Sequence, residues 1–277
     1  MSNKNHSEAA LKYFSIKENA PVFCITTGRS GTGLLATLLG KCYGLSAHHE
    51  SKPAFNEVRD LAWARSTADQ QKLKSWWLDR KLPAMYESIG NGSGPHRIYV
   101  ETSHMTTKGF IESLIELGVV PRFIVIRRDP RAVAKSLYAL GTIPVKSKIG
   151  QEWCLNERDR TFFNINTDYS KLKDYQLCFL YCLETQARVN HYTTLVEQRG
   201  SASVHLEFDD LVSGVWKSKL AALMPIRPNV LAVLREKLFS SPEKVNEKEK
   251  GKKSQILEKD CSLEEIELLK MISSAKI

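Results

Sequence analysis

The chain is expected to fold as a three-layer α/β sandwich around a central parallel sheet. Three observations predict it. Val22-Phe23-Cys24-Ile25 and Phe123-Ile124-Val125-Ile126 are short apolar runs with the length of buried strands. Each leads straight into punctuation and then a helical pattern. The first run is followed by Thr27-Gly28-Arg29-Ser30-Gly31-Thr32-Gly33, the second by Arg128-Asp129-Pro130. Strand and helix patterns then alternate along the chain, as a parallel sheet covered on both faces requires.

In chain order, strands are expected near 21–27, 45–48, 97–102, 122–127 and 203–208. Helices are expected near 7–14, 31–41, 56–80, 107–118, 130–140, 172–199, 209–222 and 228–239. The helix after the first strand carries Leu34-Leu35-Ala36-Thr37-Leu38-Leu39 and so reads as buried. The helix after the fourth strand has Asp129 as its N-cap and Pro130 at its first position. The whole of 1–277 reads as one domain with two insertions. Residues 56–96 hold Trp63, Trp76 and Trp77 and then the loop Gly90-Asn91-Gly92-Ser93-Gly94-Pro95. Residues 141–175 hold Trp153, Phe162, Phe163 and Tyr169. Long connections of this kind form binding loops, or else small cores of their own beneath the loops.

Composition narrows the class. With 277 residues, 42% of them apolar, the chain can bury a sizeable core. No run approaches the ~18 apolar residues of a membrane span, and the first twenty residues lack a signal peptide's apolar stretch. A cytoplasmic protein with no membrane partner is therefore expected. The six cysteines (Cys24, Cys42, Cys154, Cys178, Cys182 and Cys261) form no pairing framework. Cys178 and Cys182 lie four apart without a companion His/Cys pair, so they read as reduced core residues and no metal site is expected. A net charge of +9 favours polyanionic ligands. No basic run is interleaved with aromatics as a nucleic-acid surface would be, so no nucleic-acid partner is expected. The Glu243–Lys253 run alternates charge and reads as solvated, with Gly251-Lys252-Lys253 able to close over a phosphate.

The chemistry concentrates where strands end. A glycine loop between a strand and a helix aims several N–H groups and the helix dipole at one point, which suits phosphate or sulfate. Arg128 and Ser136 offer a second anion site, so the simplest ligand carries two separated anions. Gly28 and Gly33 have the spacing of a nucleoside-triphosphate loop. Leu34-Leu35 follows them, however, where that loop needs a lysine and a magnesium-binding hydroxyl. Arg29 sits inside the loop instead, and an arginine there clamps an anion with a permanent charge. Metal-free transfer fits this loop better than magnesium-dependent phosphoryl transfer.

The segment Thr27–Gly33 resembles the 5'-phosphosulfate loop of sulfotransferases. Ile126-Arg127-Arg128-Asp129-Pro130-Arg131-Ala132-Val133-Ala134-Lys135-Ser136 resembles their 3'-phosphate motif, and Leu206-Glu207-Phe208-Asp209-Asp210-Leu211-Val212 a segment that ends a late strand in many members. The likeness runs from about residue 20 to 215. It points to the bacterial and cytosolic small-molecule type, with similarity to tyrosylprotein sulfotransferases around the loop and Glu50. It implies a P-loop-like fold that binds 3'-phosphoadenosine 5'-phosphosulfate and passes its sulfuryl group to an acceptor, leaving adenosine 3',5'-bisphosphate. On this reading Arg29, Ser30, Gly31, Thr32 and Gly33 hold the 5' side, and Arg128 and Ser136 hold the 3'-phosphate. Arg29 also stabilises charge in the transition state. Arg127 faces the other way on its strand.

In-line attack by an acceptor hydroxyl needs a base. Glu50, after the second strand, resembles the catalytic glutamate of tyrosylprotein and many bacterial sulfotransferases. His104, after the third, sits near the histidine of the cytosolic Lys-Thr-His motif, but Glu101-Thr102-Ser103-His104 has no lysine before the threonine. Glu50 is taken as the base and His104 as a second base or orienting group. His48 and His49 are adjacent on a strand, so at most one faces the site. For Glu101, pairing with Arg29 or orienting His104 is one reading, and a structural role is the expected one. The acceptor is expected to be a small molecule with a hydroxyl, N-hydroxyl or amine, held by the two insertions. The competing readings are a P-loop small-molecule kinase and a non-catalytic protein that binds anions or nucleic acid. The oligomeric state is open.

Overall fold

A computed structural model describes residues 3–63, 66–93, 97–159, 161–163, 165, 168–225, 227 and 260–275. The expected helix near 228–239, the charged run 243–253 and the loop residues 94–96 lie outside them. Two compact units are formed. One comprises Met1–Thr26, Gly31–Arg127 and Val189–Ser240, the other Thr27–Ser30, Arg128–Arg188 and Ser241–Ile277.

The first unit holds the sheet. Its strands are β1 (Val22–Ile25), β2 (Leu45–His49), β3 (Ile98–Thr102), β4 (Arg122–Arg127) and β5 (Ser203–Glu207). All five expected strands form, in the order β2-β3-β1-β4-β5 and all parallel. After β1 the chain runs outward to β2, and after β3 it crosses to β4 on the other side of β1. That reversal leaves a crevice at the carboxyl end of β1, the ordinary ligand position in open parallel sheets. Thr26 ties the two strands together there, donating from Oγ1 to the Ile126 carbonyl at 2.7 Å.

Alternation of side chains gives the sheet two buried faces. On one, Val22, Cys24, Val100, Ile124 and Leu206 pack with Leu35 and Leu39 of α2 (Thr32–Leu39). On the other, Phe23 meets Phe55 and Trp77 at ring distances of 6.1 and 6.2 Å. Trp77 is fully buried and donates from Nε1 to the Phe110 carbonyl and the Ser113 hydroxyl. Trp76 is buried beside it, so these two tryptophans belong to the core rather than to a ligand pocket. The three layers expected from the sequence are present in this unit.

Several helices differ from expectation. The first is longer, spanning α1 (Asn3–Phe14). The single helix expected near 56–80 is broken into a 3-10 turn (Phe55–Val58), α3 (Arg59–Trp63), α4 (Thr67–Trp76) and a π-helical turn (Trp77–Lys81), followed by α5 (Leu82–Ser88). Ser66 causes one break, because its hydroxyl caps α4 by accepting from the Asp69 N–H. The helix expected near 107–118 shortens to α6 (Ile111–Glu116), and β4 leads into α7 (Pro130–Ala139) and then α8 (Asp174–Glu197). The helix expected near 209–222 divides into α9 (Phe208–Ser213) and α10 (Trp216–Leu220), because Gly214 adopts φ +83° and terminates the first. A helix with no expected counterpart, α11 (Ser262–Ser274), follows later.

Gly31, which opens α2, has φ +90°, and a Cβ built on it would lie 3.0 Å from Phe208 and 3.1 Å from Leu211. Those residues belong to the stretch that resembles the late family segment. Gly31→Ala is therefore expected to destabilise the protein by about 1–2 kcal/mol from the backbone alone. The check is a thermal melt, in which the midpoint should fall by roughly 2–4 °C per kcal/mol.

The second unit has its own core. Val133 and Leu137 of α7, Cys178 and Cys182 of α8, and Leu268 and Ile272 of α11 pack together. Ile143, Val145, Leu155 and Ile165 join them, so much of the 141–175 segment makes a local core, whereas Phe162 remains exposed. Glu184, fully buried, holds this segment by accepting the N–H groups of Phe162 and Phe163 at 2.8 and 2.7 Å. All six cysteines are buried and free. Among the described residues no helix is long and apolar enough to cross a membrane.

Candidate active site

In the second unit, Arg29, Arg128 and Ser136 come together although about a hundred residues separate the motifs that supply them. Arg29 has φ +66°, a left-handed conformation that costs a non-glycine residue energy and persists where neighbours enforce it. Arg128 is one of those neighbours, since its guanidinium donates to the Arg29 carbonyl. The Arg29 side chain reaches Ser136, Nε to Oγ, at 3.4 Å. Asp129 caps α7 as expected, accepting the Arg131 N–H at 3.0 Å.

These residues line an open cleft of about 530 Å³, with Arg131 and Lys135 adding further positive charge. Arg131 is also paired with Glu265 of α11 at 2.7 Å. Positive side chains outnumber Asp129 along the cleft, which suits a doubly charged anion. The rest of the loop is fixed from within. Thr27 and Ser30 are 2.6 Å apart, hydroxyl to hydroxyl, and the Ser30 side chain is fully buried. Ser30 therefore offers its backbone rather than its hydroxyl. The Gly28 N–H donates to Tyr181 of α8 at 2.9 Å. Tyr181 was not among the expected residues; an apolar helix gives no sign that one of its hydroxyls will meet a distant loop.

The first unit holds the other candidates, at the carboxyl edge of its sheet. Among the described residues no side chain caps α2, whose N-cap is Gly31, so its first N–H groups and its dipole form a ready anion site. The Thr32 carbonyl accepts from Thr102 Oγ1 at 3.0 Å. His49 Nδ1 lies 2.9 Å from the Thr102 carbonyl, which can only accept, so that nitrogen carries a proton. His49 Nε2 is left facing Gly33, where an added Cβ would lie 3.7 Å away. Of the two adjacent histidines, His49 is thus the one at the helix terminus. His48 turns to the opposite face, 2.8 Å from the Ser46 hydroxyl and stacked on Tyr99.

Glu50 and His104 form a close pair, Oε1 to Nδ1 at 3.3 Å, with Glu50 24% and His104 12% exposed. Glu50 has φ +51°, and its N–H donates to the Thr102 carbonyl at 3.3 Å. Burial alone raises the Glu50 carboxyl. The hydrogen bond and charge of His104, with the charge of His49, outweigh that and hold it below the usual carboxylate range.

Glu101 takes the structural role expected of it. It shares a face of β3 with Tyr99, whose hydroxyl donates to its Oε2, and Lys81 Nζ lies 2.7 Å from the same oxygen with the Lys81 and Glu101 side chains fully buried. Lys81 gave no signal in the sequence, because Asp79-Arg80-Lys81 reads as a solvated charged face. Arg127 is exposed at the end of β4. Among the described residues no group of three or more His, Cys, Asp and Glu side chains is placed to hold a metal.

No family model matches the chain, and no curated protein matches it. Among solved structures, the sulfotransferase domain from the curacin biosynthetic pathway is similar to it at 14% identity over 76% of each chain, with a TM-score of 0.46.

Proposed function

We propose that this chain is a sulfotransferase that moves a sulfuryl group from 3'-phosphoadenosine 5'-phosphosulfate to a hydroxyl, N-hydroxyl or amine of a small molecule. The observation that carries the reading is the meeting of Arg29, Arg128 and Ser136. Two motifs that resemble phosphate-binding segments, far apart in sequence, share one cationic cleft. Their chemistry fits the donor, which needs permanent charge at two phosphate positions and no metal.

The roles follow from the side chains. Arg128 and Ser136 hold the 3'-phosphate. Arg29 and the uncapped amino end of α2, with Gly31, Thr32 and Gly33, hold the 5' side and stabilise the charge that develops there. His49 offers a ring nitrogen beside Gly33. The donor supplies the sulfuryl group, whose sulfur bonds to the acceptor oxygen or nitrogen as its bond to the 5'-phosphate oxygen breaks. Glu50 takes the acceptor's proton and His104 keeps that carboxylate ionised and oriented. A base need only be ionised and within hydrogen-bond reach of the proton it accepts.

The test is to incubate the protein with the donor labelled in its sulfuryl group and a set of phenols, hydroxylamines and amines, without metal. Label moving to an acceptor, with release of adenosine 3',5'-bisphosphate, is the expected result. Phosphoryl transfer from ATP and magnesium with no sulfuryl transfer would replace this reading with a kinase.

A further inference from the structure

Resting on the reading of Glu50 as the base, we infer that Lys81 is a positioning residue for it, pinning the turn after Glu50 to β3 so that the carboxylate stays against His104. Lys81 is the last residue of the π-helical turn Trp77–Lys81, which is closed by the Leu82 N–H on the Trp77 carbonyl. Such turns are rare and recur at functional sites. Here the turn directs a lysine into the protein, where its side chain is completely buried.

The acceptors it finds belong largely to the turn that follows Glu50. Nζ lies 3.0 Å from the carbonyls of Ser51 and Pro53 and 3.2 Å from the Ser51 hydroxyl. The fourth partner is Glu101 on β3, at 2.7 Å, and the Phe55 ring lies 4.8 Å away. Burial pushes the Lys81 ammonium down from its usual range, while the charge and hydrogen bond of Glu101 oppose that.

Proton accounting locks the same turn a second time. The Tyr99 hydroxyl donates to Glu101 Oε2 at 2.6 Å and lies 2.6 Å from the Ser51 hydroxyl. Its one proton is used on Glu101, so Ser51 donates to Tyr99, while the three protons of the Lys81 ammonium are shared among the four acceptors around it, the Ser51 carbonyl and hydroxyl included. Ser51 is held from both sides. On its other flank Glu50 is tied to β3 through the Thr102 carbonyl.

Stability alone does not account for this arrangement. A buried ion pair is a weak source of stability, and well-packed apolar residues often serve as well. Here the pair even leaves Glu101 Oε1 buried with no hydrogen-bond partner among the described residues. An apolar substitute could not satisfy the carbonyls of Ser51 and Pro53, however, nor enforce a left-handed glutamate beside them.

The test uses the full chain with ¹³C-carboxyl-labelled glutamate, the Glu50 signal being assigned by its loss in Glu50→Gln. The groups facing Glu50 are His104 and His49, so its titration midpoint reports whether it still sits against them. In Lys81→Met the midpoint is expected to rise by on the order of one pH unit. Tyr99→Phe should move it in the same direction by less, with binding of adenosine 3',5'-bisphosphate unchanged in both. Should Lys81→Met fail to fold, Tyr99→Phe decides, because it removes one hydroxyl and keeps the ion pair. A Glu50 midpoint that stays at its wild-type value would overturn the inference, as would a shift accompanied by loss of bisphosphate binding. Failure of the wild type itself to bind bisphosphate would instead strike at the donor reading, and would leave the Lys81–Glu50 result standing.

Discussion

Glu50→Gln is expected to abolish sulfuryl transfer while leaving the binding of adenosine 3',5'-bisphosphate intact. Glutamine keeps the shape of the side chain and removes only its ability to accept a proton. General-base assistance contributes about 10²–10⁴-fold to turnover, and the whole of it should be lost. The bisphosphate is assigned to Arg29, Arg128, Ser136 and the amino end of α2, so its affinity should hold. The Glu50–His104 pair also makes a pH statement. Because the folded carboxyl lies below its ordinary range, its share of stability is present above that range. That share is lost as pH falls through the lower folded value, and it should be missing from Glu50→Gln. The comparison with His104→Ala assigns the base. Near-normal turnover in Glu50→Gln with none in His104→Ala would give His104 the proton and Glu50 the orienting role.

The second large effect is expected at Arg29. Arg29→Ala should weaken donor binding and also cut turnover by on the order of 100-fold or more, because a contact to developing charge is lost with the ground-state contact. Arg128→Ala should act mainly on binding, since a charge-assisted hydrogen bond is worth about 1.5–3 kcal/mol. The two effects should not add. Arg128 donates to the carbonyl of Arg29, so removing it also frees the strained residue it holds. A double-mutant cycle read by bisphosphate titration should therefore show coupling between the two positions. Arg29→Lys should recover part of the binding and little of the turnover, because an ammonium keeps the charge without the planar fork.

Strands β1 and β4 were legible because each carries a short apolar run bounded by polar or turn residues, whereas β2 and β5 are mixed in polarity and were read from the alternation of strand and helix patterns along the chain. The start of α7 was equally plain, since an Asp-Pro step after a strand has few other readings. Glu50 and His104 stood out as polar groups at strand ends, where a parallel sheet gathers chemistry. What stayed hidden depends on long-range packing. The break at Ser66 has a local mark, a capping serine three residues before Asp69, but nothing local shows that a π-helical turn carries Lys81 inward. A lysine in a charged triplet looks solvated until its partner Glu101 is known. Tyr181 likewise becomes a loop anchor only through α8, whose run of apolar residues conceals the one hydroxyl that reaches Gly28. Alternation limited His48 and His49 to one site residue between them, but His49 emerges only once β2 pairs with β3.

The measurement that bears most directly on the central claim is thermal unfolding with adenosine 3',5'-bisphosphate, set against ATP with magnesium. A ligand at about 100 times its dissociation constant stabilises the fold by about 2.7 kcal/mol, a plain shift in midpoint. The account predicts that shift with the bisphosphate alone, and its disappearance in Arg128→Ala. A shift with ATP and magnesium only, or none with either ligand, would contradict it.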